Sequence, residues 1–285
     1  MDKWDLESFR EVLRLRREMG MVNRPLYSMP ESNLHCGSTL TAENEPVLKE
    51  RIDAVLQVVE EELGHRDVYF YGIDESTQYE KEFPIWRKMH EFGAKTFVSD
   101  CKYPEPLSMA GVPGNIVDLI VRAWLPEPEM KNYTRIRHEN NGKVWCYGMP
   151  QGGVENPAYY RRYYGVLCYF SDYDGFATYC YYEAFGHPWN DNDHYYRDHN
   201  MVYPTADGIV GTLQWEGMRE AVDDIRYLTT LRQQMRANAN VPEAAWLIAE
   251  ANAFLDSVNP LSCDLVQVRN KTIELLLAFS DITGY

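Results

Sequence analysis

The chain has 285 residues, enough for one large domain or two small ones, and 45% of them are apolar, which can supply a substantial core. Its formal net charge is −15, from 43 acids against 28 bases. With no dense Lys/Arg block to relieve that charge, a nucleic-acid backbone or an anionic membrane is disfavoured as a partner, whereas a neutral ligand such as a sugar meets little repulsion.

The first periodic segment, Leu6, Phe9, Val12, Leu13 and Leu15 to Met19, predicts a helix, and its basic run "RLRREMG" reads as a solvated helix face. The N-terminal twenty residues carry acids and bases throughout, so neither a signal peptide nor a membrane anchor is expected. "MVNRPLYSMP" follows as a short strand. The spacing of Val47, Leu48, Ile52, Val55, Leu56, Val59 and Leu63 predicts a second helix, opened near Pro46 and closed by Gly64. "VYFYGI" is then a strand, "FPIWRKMHEFG" a helix, "AKTFVSD" a strand and "GNIVDLIVRAWLP" a short element of either kind. "GKVWCYG" reads as a strand, "PAYYRRYYGVLCYFSDY" as a helix and "DGFATYCYY" as a strand.

Helices alternating with short apolar strands predict βα units and a mainly parallel sheet. No G-x-G-x-x-G or G-x-x-x-x-G-K-[ST] occurs, so a (β/α) TIM-like barrel is favoured over a nucleotide-binding sheet. About six strands precede residue 183 where a complete barrel needs eight, and the chain opens on a helix; the expectation is an incomplete or N-terminally truncated barrel. Beyond it lie a polar, aromatic loop from His187 to Gly208, a strand "IVGTLQW", a helix "EGMREAVDDIRYLTTLRQQMRA" and two more helices near 242–256 and 264–279. The expected division is a barrel over 1–235 and a helical extension over 236–285.

In such a barrel the carboxyl ends of the strands carry the chemistry. Asp74 and Glu75 stand there after "VYFYGI". Two neighbouring carboxyls can divide labour, one keeping a proton as general acid while its ionised partner orients substrate or stabilises positive charge; the bland reading is a cap for the next helix. Asp100, Asp172 and Asp174 are competing acids. Glu183 and Glu216 are candidates for a second carboxylate across the cleft, as a two-carboxylate glycosidase requires, or are a loop acid and a partner of Arg219. Trp145, Tyr147, Tyr181, Tyr182, Trp189 and Trp215, at or near predicted strand ends, have planar faces that suit sugars or inward packing.

His187, His194 and His199 with Asp191, Asp193 and Asp198 match no metal-ligand spacing, so loop polarity is the better reading and no metal or other cofactor is expected. The six cysteines form no CxxC pair, and buried free thiols are expected for those inside apolar runs. Cys36 beside His35 makes no dyad by adjacency alone.

Four stretches taken together, "YFYGIDE", "KVWCYG", "YYRRYYGVLCYFSDYDGFATYCYY" and "LQWEGMREAVDDIRYLTTL", resemble glycoside hydrolase family 123 and the wider group sharing its C-terminal catalytic domain. They run in the family's order across residues 5 to 235. The resemblance implies a (β/α)8 barrel that hydrolyses terminal β-linked N-acetylgalactosamine by a substrate-assisted retaining route. It also implies that Asp74 orients the 2-acetamido group and that Glu75 protonates the leaving oxygen and then activates water. The N-terminal β-sandwich and first barrel strands of family members have no counterpart in this sequence, and "LQWEG" lacks the arginine of the wider group's version. The rival readings are a two-carboxylate hydrolase with Glu75 as acid and Glu183 or Glu216 as nucleophile, and a non-catalytic carbohydrate-binding barrel.

Overall fold

A computed structural model describes residues 5–28, 40–75, 78–100, 109–122, 130–147, 156–190, 193–195 and 198–283. The chain forms two compact units, Met1–Ala123 with Asn132–Trp145, and Trp124–Lys131 with Cys146–Tyr285.

The first unit follows the predicted alternation except that no helix lies between β3 and β4 among the described residues and that α4 was not predicted. Helix α1 (Leu6–Glu18) is capped by Asp5, whose carboxylate accepts the Ser8 N–H at 3.0 Å. It is followed by β1 (Leu26–Ser28), α2 (Glu45–Leu63), β2 (Val68–Tyr71), α3 (Phe83–Glu91), β3 (Lys95–Asp100), β4 (Leu119–Arg122), α4 (Lys131–Glu139) and β5 (Lys143–Tyr147). Helix α2 ends at Gly64 in the left-handed conformation that a residue without a Cβ adopts freely. Its buried stripe, Leu48, Ile52, Val55, Leu56, Val58 and Val59, supplies much of the core together with Trp86 and Met89 of α3. Arg10 and Arg14 of α1 reach Glu62 at the end of α2 and tie the two helices together at the surface.

Strands β1 to β4 pair in parallel, with Tyr71 opposite Phe97 and Ser99 opposite Val121. The six-stranded sheet follows chain order, β1-β2-β3-β4-β5 and then β6 (Gly175–Ala177). Tyr27, on β1, and Trp145, on β5, meet at 4.6 Å between ring centroids although three strands separate theirs, so the sheet is curled. Tyr69, Tyr71 and Phe97 share that inner face. Six strands in the sheet, among the described residues, agree with an incomplete, open TIM-like barrel.

In the second unit, α5 (Pro157–Arg161) runs through a π-helical segment, Arg162–Leu167, into α6 (Cys168–Phe170). After β6, the strands β7 (Val202–Thr205) and β8 (Gly208–Gly211) form an antiparallel hairpin. The long helix α7 (Leu213–Ala237), α8 (Ala245–Ser257) and α9 (Leu265–Thr283) complete the chain. Leu228, Leu231 and Met235 of α7 pack with Leu247 and Leu255 of α8 and Leu275 and Phe279 of α9.

Asp224 anchors this assembly. Its carboxylate accepts from Arg161 Nε at 2.6 Å and Nη2 at 3.0 Å and from Arg269 Nε at 2.5 Å, joining α5, α7 and α9. The "DD" of "AVDDIRYL" therefore divides into a buried structural acid, Asp224, and an outward one, Asp223, beside Arg219 and Arg226.

The predicted strand "IVGTLQW" is corrected. It ends at Gly211, and the Thr212 hydroxyl accepts the Trp215 N–H at 3.2 Å, so Leu213 already begins α7. Trp215 and Glu216 accordingly sit in the first helical turn and not at a strand end. The end of the predicted polar loop is likewise β7 and part of the hairpin turn.

Candidate functional site

The acids at 74 and 75 stand where they do because β2 cannot continue as an ordinary strand. A Cβ on Gly72 would press on the Trp86 indole nitrogen, Val98 and Thr96, so only glycine fits there. The Gly72 N–H still donates to the Phe97 carbonyl at 2.8 Å, and the Ile73 carbonyl accepts the Ser99 N–H at 3.3 Å. The chain thus follows β3 for two residues beyond β2 and then turns outward, leaving Asp74 and Glu75 exposed at the carboxyl end of the strand.

Four groups from β2, β3 and this turn interlock. Asp74 Oδ1 accepts from the Tyr71 hydroxyl and from Ser99 Oγ, each at 2.6 Å. Ser99 Oγ also accepts the Glu75 backbone N–H at 2.8 Å and lies 2.9 Å from the Tyr71 oxygen. The two hydroxyls hold two protons. Either both go to Asp74, or one hydroxyl donates to the other, which donates to Asp74; every arrangement needs the carboxylate as acceptor. Asp74 Oδ2 accepts no hydrogen bond among the described residues, so one oxygen is held by the protein and the other is available to a ligand.

Glu75 is in a different setting. Its backbone has φ = 43°, the left-handed region that a residue with a side chain seldom occupies, and its N–H bond to Ser99 holds it there. Partial burial, and secondarily the negative charge of Asp74, raise its carboxyl above the ordinary glutamate range. A side chain that keeps its proton to higher pH suits an acid; one fixed by two hydroxyls suits an acceptor.

Asp100, the nearest competing acid in sequence, belongs to the other face of β3, since successive residues alternate. It is fully buried, paired with Arg122 Nη1 at 2.5 Å and bonded to the Tyr133 hydroxyl at 3.1 Å. The guanidinium stacks on the Tyr133 ring at 4.5 Å. This is a structural ion pair behind the sheet.

The remaining candidates are dispersed. Trp145 packs on Tyr27, and Tyr147 is partly buried at the end of β5. In the second unit, Tyr181 meets Trp215 edge to face at 5.7 Å, while Tyr182 is exposed. The Glu183 N–H donates to Asn200 Oδ1 at 3.1 Å, and its buried Oε2 lies 3.7 Å from His199 Nδ1 without a hydrogen bond. Glu216 is exposed and accepts from Arg219 Nε at 2.8 Å, so the partner of Arg219 is what the structure finds there.

Among the described residues no group of three or more His, Cys, Asp or Glu side chains is placed to hold a metal ion. Asp191, His35 and Cys36 lie outside the described residues. Cys146 and Cys168 are buried thiols. No helix among the described residues is long and apolar enough to cross a membrane.

Tyr71 and Ser99 were not singled out by sequence reasoning. The signal available was the serine hydroxyl that ends the run "TFVS", two residues from Phe97 and therefore on the same face.

No curated protein matches the chain. The family profile described as glycoside hydrolase 123, catalytic domain, matches residues 33–231, a span that includes the Asp74–Glu75 turn, Ser99 and most of α7. With more than half of its length covered, the chain belongs to the glycoside hydrolase 123 catalytic-domain family, and is a hydrolase of carbohydrate.

Proposed function

We propose that the protein is a retaining exo-glycosidase for a terminal β-linked 2-acetamido sugar, N-acetylgalactosamine-like, with the substrate's own acetamido group as nucleophile. The observation that supports it is the unequal setting of two adjacent carboxyls, Asp74 pinned as an acceptor and Glu75 shifted toward holding a proton.

In the first step the acetamido carbonyl oxygen attacks the anomeric carbon while the bond to the leaving oxygen breaks, and Glu75 delivers its proton to that oxygen. Asp74, through its open Oδ2, accepts the acetamido N–H, which holds the carbonyl in line and stabilises the positive charge of the oxazolinium ring. In the second step Glu75, now a carboxylate, takes a proton from water as the water oxygen attacks the anomeric carbon and the ring opens. Two inversions give net retention, with no second carboxylate required.

The two-carboxylate reading keeps one supporting observation, the buried Glu183 Oε2 without a hydrogen-bond partner. A matched set of aryl β-glycosides separates the two. Substrate assistance predicts turnover of 2-acetamido sugars and none of their 2-hydroxy counterparts; equal turnover of both, abolished by Glu183→Ala, would establish the two-carboxylate route instead.

A further inference from the structure

The segment "HPWND", 187–191, begins the polar loop that neither the metal reading nor the Asp74–Glu75 turn explains. Its described part, 187–190, carries the exposed indole of Trp189. His187 to Asn190 form a tight turn, with the Asn190 N–H donating to the His187 carbonyl at 2.8 Å and Pro188 at the position whose φ its ring pre-sets. The Asp193 carboxylate accepts the His187 N–H at 2.7 Å and packs on Gly186, where a Cβ would collide with it.

The indole this turn carries is fixed at two points. Trp189 Nε1 donates to the Pro204 carbonyl on β7 at 3.0 Å, and the ring stacks on Tyr203 with centroids 4.9 Å apart and planes 20° from parallel. A near-parallel stack covers one indole face and leaves the other bare, in keeping with the 54% exposure of Trp189. A tryptophan placed only to fill space would be more deeply buried. Here its N–H is satisfied, one face is backed by a second aromatic ring, and a flat apolar face is held toward solvent.

We propose that the Trp189–Tyr203 stack is a carbohydrate-binding platform in the second unit, taking the apolar face of a pyranose ring of a neutral oligosaccharide. The chemistry fits. A rigid aromatic face gains contact with axial C–H groups at little ordering cost, and a neutral sugar suits a chain of net charge −15. The proposal rests on the carbohydrate chemistry of the family and not on the roles given to Asp74 and Glu75.

The test is calorimetric binding of a panel of neutral oligosaccharides, β-linked 2-acetamido and unsubstituted hexose oligomers, to the full chain carrying Glu75→Gln. Adding Trp189→Ala should weaken the bound members about tenfold, and Trp189→Phe by less, the scale of one lost aromatic contact. Trp246→Ala is the control. That indole is 60% exposed on α8, but its side chain makes neither a stack nor a hydrogen bond among the described residues, and its loss should change nothing.

Unchanged affinity in the Trp189→Ala protein, verified as folded by circular dichroism, overturns the platform, as does a panel with no bound member. A concentration-dependent dimer that Trp189→Ala abolishes would assign the face to self-association instead. Failure of the catalytic reading shows separately, as undiminished hydrolysis by the Glu75→Gln protein of the oligosaccharides themselves, whose leaving groups are poor.

Discussion

Two acid pairs, Asp74–Glu75 and Asp223–Asp224, look alike in sequence and are held in opposite ways. Asp224 is buried, and its two oxygens are occupied by two arginines, so its charge is spent within the fold. Asp74 is held on one oxygen by two neutral hydroxyls, and its second oxygen accepts no hydrogen bond among the described residues. On the proposed function, what distinguishes a structural acid from a chemical one is the partner set. Arginines neutralise a carboxylate; hydroxyls aim it.

The comparison can be tested from both sides. The largest effect should come from Glu75→Gln, which should lower kcat by roughly 10²- to 10⁴-fold on glycosides with poor leaving groups and far less on activated aryl glycosides. Equal loss on both would remove Glu75 from the role of acid. Next is Asp224→Ala, which takes the carboxylate from part-buried Arg161, leaving it the Leu265 carbonyl, while Arg269 keeps Glu220, and should cost about 3 kcal/mol in chemical denaturation. Asp223→Ala, beside exposed arginines, should stay within about 0.5 kcal/mol of wild type. If both cost the same, the distinction between the two aspartates is wrong.

A smaller effect tests the hydroxyls. Ser99→Ala removes a donor to Asp74 and the acceptor for the Glu75 amide, and should lower kcat about tenfold with little change in thermal midpoint; a loss confined to KM would assign Ser99 to binding. Asp74→Asn should also move the alkaline limb of the kcat profile to lower pH, because the negative charge that helps raise Glu75 is gone.

The smallest effect is on stability. Folding raises the Glu75 pKa, so its protonated form is favoured by the native state, and stability falls as pH rises from the unfolded value through the folded one. Glu75→Gln should therefore raise the thermal midpoint slightly above that window and leave it unchanged below. A midpoint difference that is the same at low and neutral pH would contradict this.

Much of the fold was legible because β2 to β5 lie in short apolar runs and α2 and α3 carry apolar stripes at three and four, whereas α4, mostly polar, was not legible. The start of α7 was not. "IVGTLQW" is apolar enough for a strand, and only the capping bond from Trp215 to Thr212 turns its second half into helix. The position of Asp74 and Glu75 followed from barrel grammar, but their difference did not, because it depends on Ser99, a neutral hydroxyl 25 residues from Asp74 in sequence. Asp224 was visible only as part of a recognisable motif. Its arginines lie 63 and 45 residues away, and no local pattern connects them.

The π-helical segment has a consequence for chain length. Such a turn holds more residues per rotation than an α-helix, and each α-helical residue advances the rotation by about 100°. Deleting one residue from Arg162–Leu167 and rewinding it as α-helix leaves the rotation nearly unchanged, because the wide turn holds about one extra residue, so Arg161 keeps facing Asp224 and Tyr169, whose hydroxyl donates to the Leu228 carbonyl at 3.1 Å, keeps facing α7. In the regular turns of α7 the same deletion would turn one side by about 100° against the other. Single-residue deletion scanning should therefore show a higher folded yield within Arg162–Leu167 than within α7.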